Sequence, residues 1–269
     1  MKLTGIIFDV DGTIADTEEY HRQAFNRAFE DFELEWHWTP DNYRKILHIS
    51  GGKERFRHCL GLDEQLSKSI NDKNQFIIDL HACKSEHYRT FLSDGAIKPR
   101  PGIKRLVDEA RAANIQLGIA TSSSTANFYT LVEQIFDTAP EKIFDTIVTS
   151  DHIVDKKPCP AVYQCAIASL GLNAEECVAI EDTENGNLAA LNAGMKSIIT
   201  THAYTIDNNF NGASLVLNHL GESDMSFEVQ QGYVMDKTMV DIELLQNIVT
   251  SGTDFSAIDT SLDSQTVVA

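Results

Sequence analysis

Two aspartates one residue apart close an apolar run in Gly5-Ile6-Ile7-Phe8-Asp9-Val10-Asp11-Gly12-Thr13. Ile6, Ile7 and Phe8 do not alternate with polar residues, which predicts a short strand buried on both faces. A strand repeats every two residues, so Asp9 and Asp11 leave it from the same side. They project past its C-terminal end, where open α/β sheets bind ligands. Gly12 permits a sharp turn there. Neither carboxylate has a partner nearby in sequence, and a divalent cation would neutralise their repulsion. One can then serve as a nucleophile and the other as an acid/base. An Asp-Gly turn exposed to solvent fits the same stretch taken alone.

Three further groups fall where other apolar runs end. Thr121, Ser122 and Ser123 follow Ile115 to Ala120 and offer hydroxyls and backbone N–H groups to a phosphate oxygen, although Ser and Thr also cap helices. Lys157 precedes Pro158, which keeps it in an extended loop where it can pair with a carboxylate and a phosphate; Lys156 is its rival. Glu181 and Asp182 close the apolar Val178-Ala179-Ile180 and suit a hard cation with oxygen ligands, or the cap of the next helix.

The elements that must position these groups alternate. Helices are predicted around Ile103 to Ala110, Phe128 to Ile135, Pro160 to Leu170 and Asn187 to Ala193, with strands at 115–120, 146–149, 177–180 and 197–200. Alternation of this kind builds a parallel sheet covered on both faces, and its strand ends converge on one edge. Residues from about 17 to 94 read as helical throughout. Asp16-Thr17-Glu18-Glu19 starts one helix and Thr39-Pro40 a second. A short helix runs from Lys53 to Leu60, and one long helix carries Ile70, Ile77, Leu80, Cys83, His87 and Phe91 as its apolar stripe. The expected division is an α/β core of residues 1–16 and 95–222, an all-α insertion at 17–94, and an acidic, partly loose extension at 223–269. From Glu222 onward there are nine acidic residues and one lysine; Val240, Leu244, Leu245 and Ile248 permit one more helix, and a loose tail is expected beyond Gly252.

The chain has 269 residues, 42% of them apolar, and a formal net charge of −18. That charge argues against nucleic acid and anionic membranes as partners. It also requires any anionic substrate to be met by locally placed cations. No apolar run approaches the ~20 residues of a membrane span, and Asp9 and Asp11 interrupt the apolar start of the chain, against a signal peptide. The five cysteines are scattered without a CxxC pair, as expected of reduced thiols in a cytoplasmic protein.

Asp9-x-Asp11-x-Thr13, Thr121 at a strand end, Lys157 before a proline, and Glu181-Asp182 with Gly186 following occur in one order. In that order the chain resembles the haloacid dehalogenase superfamily of aspartate-nucleophile phosphohydrolases, over roughly residues 5–220. The resemblance implies a Rossmann-like α/β core with a small α-helical cap inserted after the first strand. It implies that Asp9 attacks phosphorus and that Asp11 protonates the leaving oxygen and then activates water. It further implies Mg²⁺ held by Asp9, the Asp11 backbone carbonyl and Asp182, with Glu181 ligating or tuning through water. Thr121, with Ser122, would bind the transferring phosphoryl group, and Lys157 would balance its charge. Superfamily dehalogenases lack the second aspartate, so Asp11 favours phosphate over halide.

The cap is expected to set specificity. Gly52, Lys53 and Arg55 lie between cap helices, a position that faces the active site in the family, and the two basic residues can meet a second phosphate. His21 on the first cap helix and Arg100 between two prolines are further candidates for the cleft. The Gly-Gly-Lys-Glu-Arg stretch is similar to bacterial phosphatases of sugar bisphosphates such as xylulose bisphosphate; phosphoglycolate phosphatases and β-phosphoglucomutase share the core and cap type. The expectation is a phosphatase for a small phosphorylated metabolite, a phosphosugar, with a phosphosugar mutase or a non-enzymatic Mg²⁺/phosphate-binding regulator as alternatives. A monomer is the simplest assembly, and the sequence leaves the oligomeric state open.

Overall fold

The computed structural model describes residues 1–95 and 97–250. In chain order it contains β1 (Gly5–Phe8), α1 (Glu18–Asp31), α2 (Pro40–Ile46), α3 (Gly52–Leu62), α4 (Glu64–Ser69), α5 (Lys73–Ser93), α6 (Ile103–Ala112), β2 (Gln116–Ala120) and α7 (Thr125–Phe136). Then follow β3 (Thr146–Val148), α8 (Ala161–Leu170), β4 (Cys177–Glu181), α9 (Glu184–Asn192), β5 (Lys196–Thr200), β6 (Leu215–Leu217), β7 (Val229–Gln231) and α10 (Ile242–Thr250).

The strands form one seven-stranded sheet in the order β3-β2-β1-β4-β5-β6-β7. All neighbours run parallel except β6 and β7. The α/β class with a Rossmann-like parallel sheet is therefore the one observed. The period of two is visible in β1. Ile7 packs on one face with Val162, Ala166 and Ala189 of α8 and α9, while Ile6 and Phe8 pack on the other with residues of α6, α7 and α10. In the register Phe8 lies opposite Ile119 of β2 and Ile180 of β4, which sets Asp9 beside the ends of both neighbouring strands.

The inserted helices α1 to α5 enclose an aromatic core of Phe25, Phe29, Trp38, Tyr43 and Phe56, with Ile77 and Leu80 from α5. The long helix expected after α3 is two helices. Asp63 caps α4 by accepting from the Leu66 N–H, and Asp72 caps α5 by accepting from the Gln75 N–H, both at 2.9 Å. Two aspartates at N-cap positions stop and restart the chain where hydrophobic spacing alone runs on. The buried face of α5 is correspondingly rotated. It carries Ile77, Leu80, Lys84, Tyr88 and Phe91, with Cys83 and His87 on its flank.

The extension expected from residue 223 is built into the core as far as residue 250. β7 adds an antiparallel edge strand, and Val240, Leu244, Leu245, Ile248 and Val249 are buried with the residues of α6 and β4. Gln246 of α10 accepts from the Leu3 N–H at 3.0 Å and ties this end of the chain to the approach to β1. The tail expected beyond Gly252 lies outside the described residues. Among the described residues, no helix is long and apolar enough to cross a membrane.

Candidate active site

β1, β2 and β4 are adjacent and parallel, so Asp9, Thr121 and Glu181-Asp182 meet at one sheet edge. Lys157 reaches the same point from the loop before α8. Its Nζ donates to Asp9 Oδ1 at 2.6 Å, to Glu181 Oε1 at 2.5 Å and to the Ala120 carbonyl at 2.9 Å. Burial works against the charge on Lys157, but Asp9 and Glu181 outweigh it and raise its pKa. Lys156 also lines the cleft but makes none of these bonds. Burial pushes the Asp9 carboxyl well above the usual range; Lys157 opposes that, and Glu181 and Asp182 add to it.

Asp182 is held by two donors, Thr13 Oγ1 at 3.1 Å and His202 Nε2 at 2.9 Å. The Tyr204 N–H donates to His202 Nδ1 at 3.3 Å, which leaves the His202 proton on Nε2, facing the carboxylate. Burial raises the Asp182 pKa against the pull of His202. Glu181 lies behind the cleft, fully buried, with its Oε1 accepting from Lys157 and from the Tyr163 hydroxyl at 2.7 Å.

Carboxylate oxygens of Asp9, Glu181 and Asp182 all lie within 4.8 Å of one another. One ammonium group serves two of these buried carboxylates and His202 meets the third, and their donor atoms are hard oxygens. This set fits Mg²⁺ and is a poor match for a metal that prefers nitrogen or sulfur. Asp9, Asp11 and Asp182 line the cleft and can face such an ion directly, whereas Glu181 sits one layer back against Lys157.

Gly186, in the first turn of α9, lies against this layer. A Cβ there would fall 1.9 Å from Glu181 Oε2 and 2.2 Å from Oε1. Gly186→Ala is expected to displace the Glu181 carboxylate and destabilise the fold by about 3 kcal/mol or more, as breaking a buried pair does. Urea melts of the two proteins check this, and equal midpoints would show that the carboxylate has room to move.

Asp11 sits on the cap side. Its Oδ1 accepts from Thr17 Oγ1 at 2.7 Å and from His21 Nε2 at 3.1 Å, and its Oδ2 accepts from Ser123 Oγ. Burial raises its pKa, but His21, Ser123 and Thr17 together hold it well below the usual carboxylate range. Lys84 Nζ donates to His21 Nδ1 at 2.6 Å. An ammonium group cannot accept, so His21 carries its proton on Nε2 and presents it to Asp11. Burial, with help from Lys84, lowers the His21 pKa. Burial lowers that of Lys84 from 10.5 to about 7, against the pull of Asp11 and Glu18.

The depressed Lys84 value has a sign that can be measured. Below pH 7 the native state carries a buried ammonium. Between about 7 and 10.5 it has shed that proton while the unfolded chain has not. The unfolded state then binds more protons, and stability rises with pH. Wild type is expected to gain on Lys84→Met across that window by up to about 4 kcal/mol. Urea melts at a series of pH values would show a flat difference if the burial carried no such strain.

The serine run divides its work. Ser124 caps α7 by accepting from the Asn127 N–H at 3.4 Å, Ser123 holds Asp11, and Thr121 and Ser122 are left lining the cleft. Gly52, Lys53, Arg55 and His21 also line it, which brings four of the five cap-side candidates to the site. Arg55 is oriented by its bonds to the Ile49 carbonyl at 3.0 Å and to the Tyr43 hydroxyl at 2.8 Å. Arg100, the fifth, does not reach the cleft. It is buried, donating to the carbonyls of Thr200, Thr201, Asn218 and Gly12 and pairing with Asp16 at 3.3 Å. Five donors in a rigid fork make Arg a staple for converging carbonyls, and Arg100 joins the loop after β1 to the end of β5.

The cap closes over these groups. Asn185 Nδ2 donates to the His48 carbonyl at 2.8 Å, and Arg44 Nη2 to the Ala203 carbonyl at 2.7 Å. Tyr204 packs into the cap core and donates to Glu19. The cleft between cap and core has a volume of about 500 Å³.

A haloacid dehalogenase-like hydrolase family model matches residues 6–200, most of the chain. The chain belongs to that family. Among the relatives of this hydrolase is the plasmid-borne protein CbbY of Cupriavidus necator, 40% identical over 221 residues, which are 82% of this chain and 87% of the relative. The crystal structure of CbbY from Rhodobacter sphaeroides in complex with phosphate superposes with a TM-score of 0.75 at 36% identity, over 82% of this chain and 96% of that one. A mutant of the same protein has been crystallised with xylulose-(1,5)bisphosphate. Fructose-1-phosphate phosphatase YqaB of Escherichia coli is 27% identical over 202 residues, 73% of this chain and 96% of the relative.

Several contacting residues give no motif in sequence. Lys84 left one signal, a lysine at a position of the apolar α5 stripe. Tyr163 and His202 left none, because each acts through a carboxylate more than 15 residues away.

Proposed function

We propose that this hydrolase, a phosphoric monoester hydrolase by family and relatives, is a Mg²⁺-dependent phosphatase of a small phosphosugar. A sugar bisphosphate is the favoured substrate class. The observation that carries the reading is the division of the two aspartates: Asp9 is paired with Lys157 at 2.6 Å, and Asp11 with the cap residue His21 at 3.1 Å. One carboxylate is positioned to attack and its neighbour to exchange protons, and phosphoryl transfer needs little beyond positioning and charge neutralisation.

In this reading an Asp9 oxygen bonds to phosphorus as the P–O ester bond breaks, and the leaving oxygen takes a proton from Asp11. Asp11 then removes a proton from water, whose oxygen displaces Asp9 and releases inorganic phosphate. Asp11 is anionic at rest, ready for the second half; for the first it must be loaded with a proton, which His21 can pass from Nε2 as its Nδ1 takes one from the Lys84 ammonium. Lys157 and Thr121 offset charge on the transferring oxygens. Mg²⁺, held by Asp9, Asp11 and Asp182, would supply further charge neutralisation. Lys53 and Arg55, on the cap side of the cleft, suit a distal phosphate, and the xylulose bisphosphate complex of the CbbY mutant supports that class.

The test is phosphate release with Mg²⁺ over sugar mono- and bisphosphates, including xylulose 1,5-bisphosphate and β-glucose 1-phosphate. Release, with a bisphosphate preferred, is expected. Isomerised sugar phosphate without release would make the protein a mutase, and no turnover of any monoester would sink the enzymatic reading. Lys53→Ala is expected to raise KM for the bisphosphate about 10-fold or more and to leave monophosphates nearly unchanged, an interaction lost only with the distal charge.

A further inference from the structure

A second constellation of metal-type side chains lies in the cap, apart from the cleft. Asp31 is the last residue of α1, and Cys83 and His87 stand one turn apart on the flank of α5. Cys83 Sγ donates to Asp31 Oδ2 at 3.3 Å, and His87 Nε2 meets the same oxygen at 2.7 Å. The three ligand atoms all lie within 4.8 Å of one another. A single carboxylate oxygen thus gathers a thiol and an imidazole at one point. None of the three residues touches the reaction chemistry described above.

We propose that Asp31, Cys83 and His87 form a binding site for a zinc-class transition-metal ion that clamps α1 to α5. The donor set is one sulfur, one nitrogen and one oxygen. Mg²⁺ and Ca²⁺ take oxygen alone, so this set selects Zn²⁺ and its neighbours, whereas the Asp9-Asp182 carboxylates select Mg²⁺. Bonds of about 2.0–2.3 Å in a tetrahedron put ligand atoms roughly 3.3–3.7 Å apart. The present separations need only small side-chain shifts to reach that spacing.

Cys83 and His87 share the i,i+4 spacing that puts two side chains on one strip of helix. Asp31 brings a negative charge to the C-terminal end of α1, where the helix dipole already favours a cation. Its side chain is 54% exposed, which leaves a path for the ion and room for a water as fourth ligand. The imidazole bond keeps the Asp31 carboxyl below its usual range. The ion binds by displacing the Cys83 thiol proton. The clamp joins the helices that carry His21 and Lys84, and it stiffens the surface the cap presents to Asp11.

The experiment uses the full chain, reduced and metal-stripped, with Mg²⁺ in excess to fill the carboxylate site. Co²⁺, the spectroscopic stand-in for zinc, is expected to bind one per chain with a sulfur-to-cobalt charge-transfer band that Zn²⁺ abolishes. Zn²⁺ is expected to raise the melting temperature of the wild type. Cys83→Ser is expected to lose the band, and both Cys83→Ser and His87→Ala to weaken Zn²⁺ binding at least ~10-fold. Phosphatase activity without zinc should be unchanged in both. The proposal is overturned if no thiolate band forms, if the band survives in Cys83→Ser, or if either variant binds Zn²⁺ as tightly as wild type.

Discussion

Asp9→Asn is expected to lower kcat by at least ~10⁴-fold and to leave the unfolding midpoint at or above that of wild type. The amide keeps the size of the side chain and can still accept from Lys157, but it cannot form an acyl phosphate at a useful rate. Loss of a nucleophile that acts as one unit with its acid/base partner removes most of the chemical step. The fold should tolerate the change because Asp9 is one of three carboxylates within 4.8 Å of each other. Burial and the other two already push it toward the neutral form. Removing its charge leaves Lys157 with Glu181, at 2.5 Å, as its partner. Phosphate release and urea melts on the same preparation decide the matter. Activity within ~100-fold of wild type would remove Asp9 as the nucleophile, and a collapsed midpoint would show that its charge holds the site together.

The core of the site could be read from sequence because parallel topology places reactive residues at strand ends. An apolar run followed by Asp9, Thr121 or Glu181 marks both the strand and the edge where the candidate site forms. Serial order then identified the family. What could not be read is the layer that acts across long sequence distances. His202 orients Asp182 from 20 residues away, and Ser123 reaches Asp11 from 112 residues away. Arg100 shows the opposite failure. Its position between Pro99 and Pro101 suggested a substrate contact, yet its fork is consumed by four backbone carbonyls. A charged type identifies a partner of opposite polarity without saying whether that partner is substrate or backbone.

The cap illustrates how local capping overrides periodicity. The hydrophobic spacing from Ile70 onward predicts a stripe through Cys83 and His87, but Asp72 restarts the helix and the buried strip runs through Lys84 and Tyr88. Cys83, expected on the apolar stripe, is at the flank, and Lys84 is buried 2.6 Å from His21. The short β6 and β7 escaped notice for a different reason. Three residues are too few to show alternation, and their pairing comes from the sheet they join.

Lys157→Met is expected to give the second large effect, and to separate charge from chemistry. The lysine side chain is 5% exposed and bonds both Asp9 and Glu181, so its removal leaves these two buried carboxylates without their shared counter-charge. Breaking a buried pair by deleting one partner costs about 3–5 kcal/mol. Protonation limits that cost. Carboxyls with raised pKa values favour the native state only while they hold a proton, so the deficit should be small near pH 4 and should grow as pH rises toward neutrality. Activity should fall ~10³-fold or more, since in the proposed reaction the same ammonium balances the transferring phosphoryl group. Mg²⁺ should then stabilise the variant more than the wild type, because the ion replaces the ammonium lost from beside Asp9 and binding to the native state adds RT ln(1 + [L]/Kd). Melts with and without Mg²⁺ at two pH values test each part. A variant that melts like wild type, with the same Mg²⁺ increment, would mean that Asp9 and Glu181 are not coupled through Lys157.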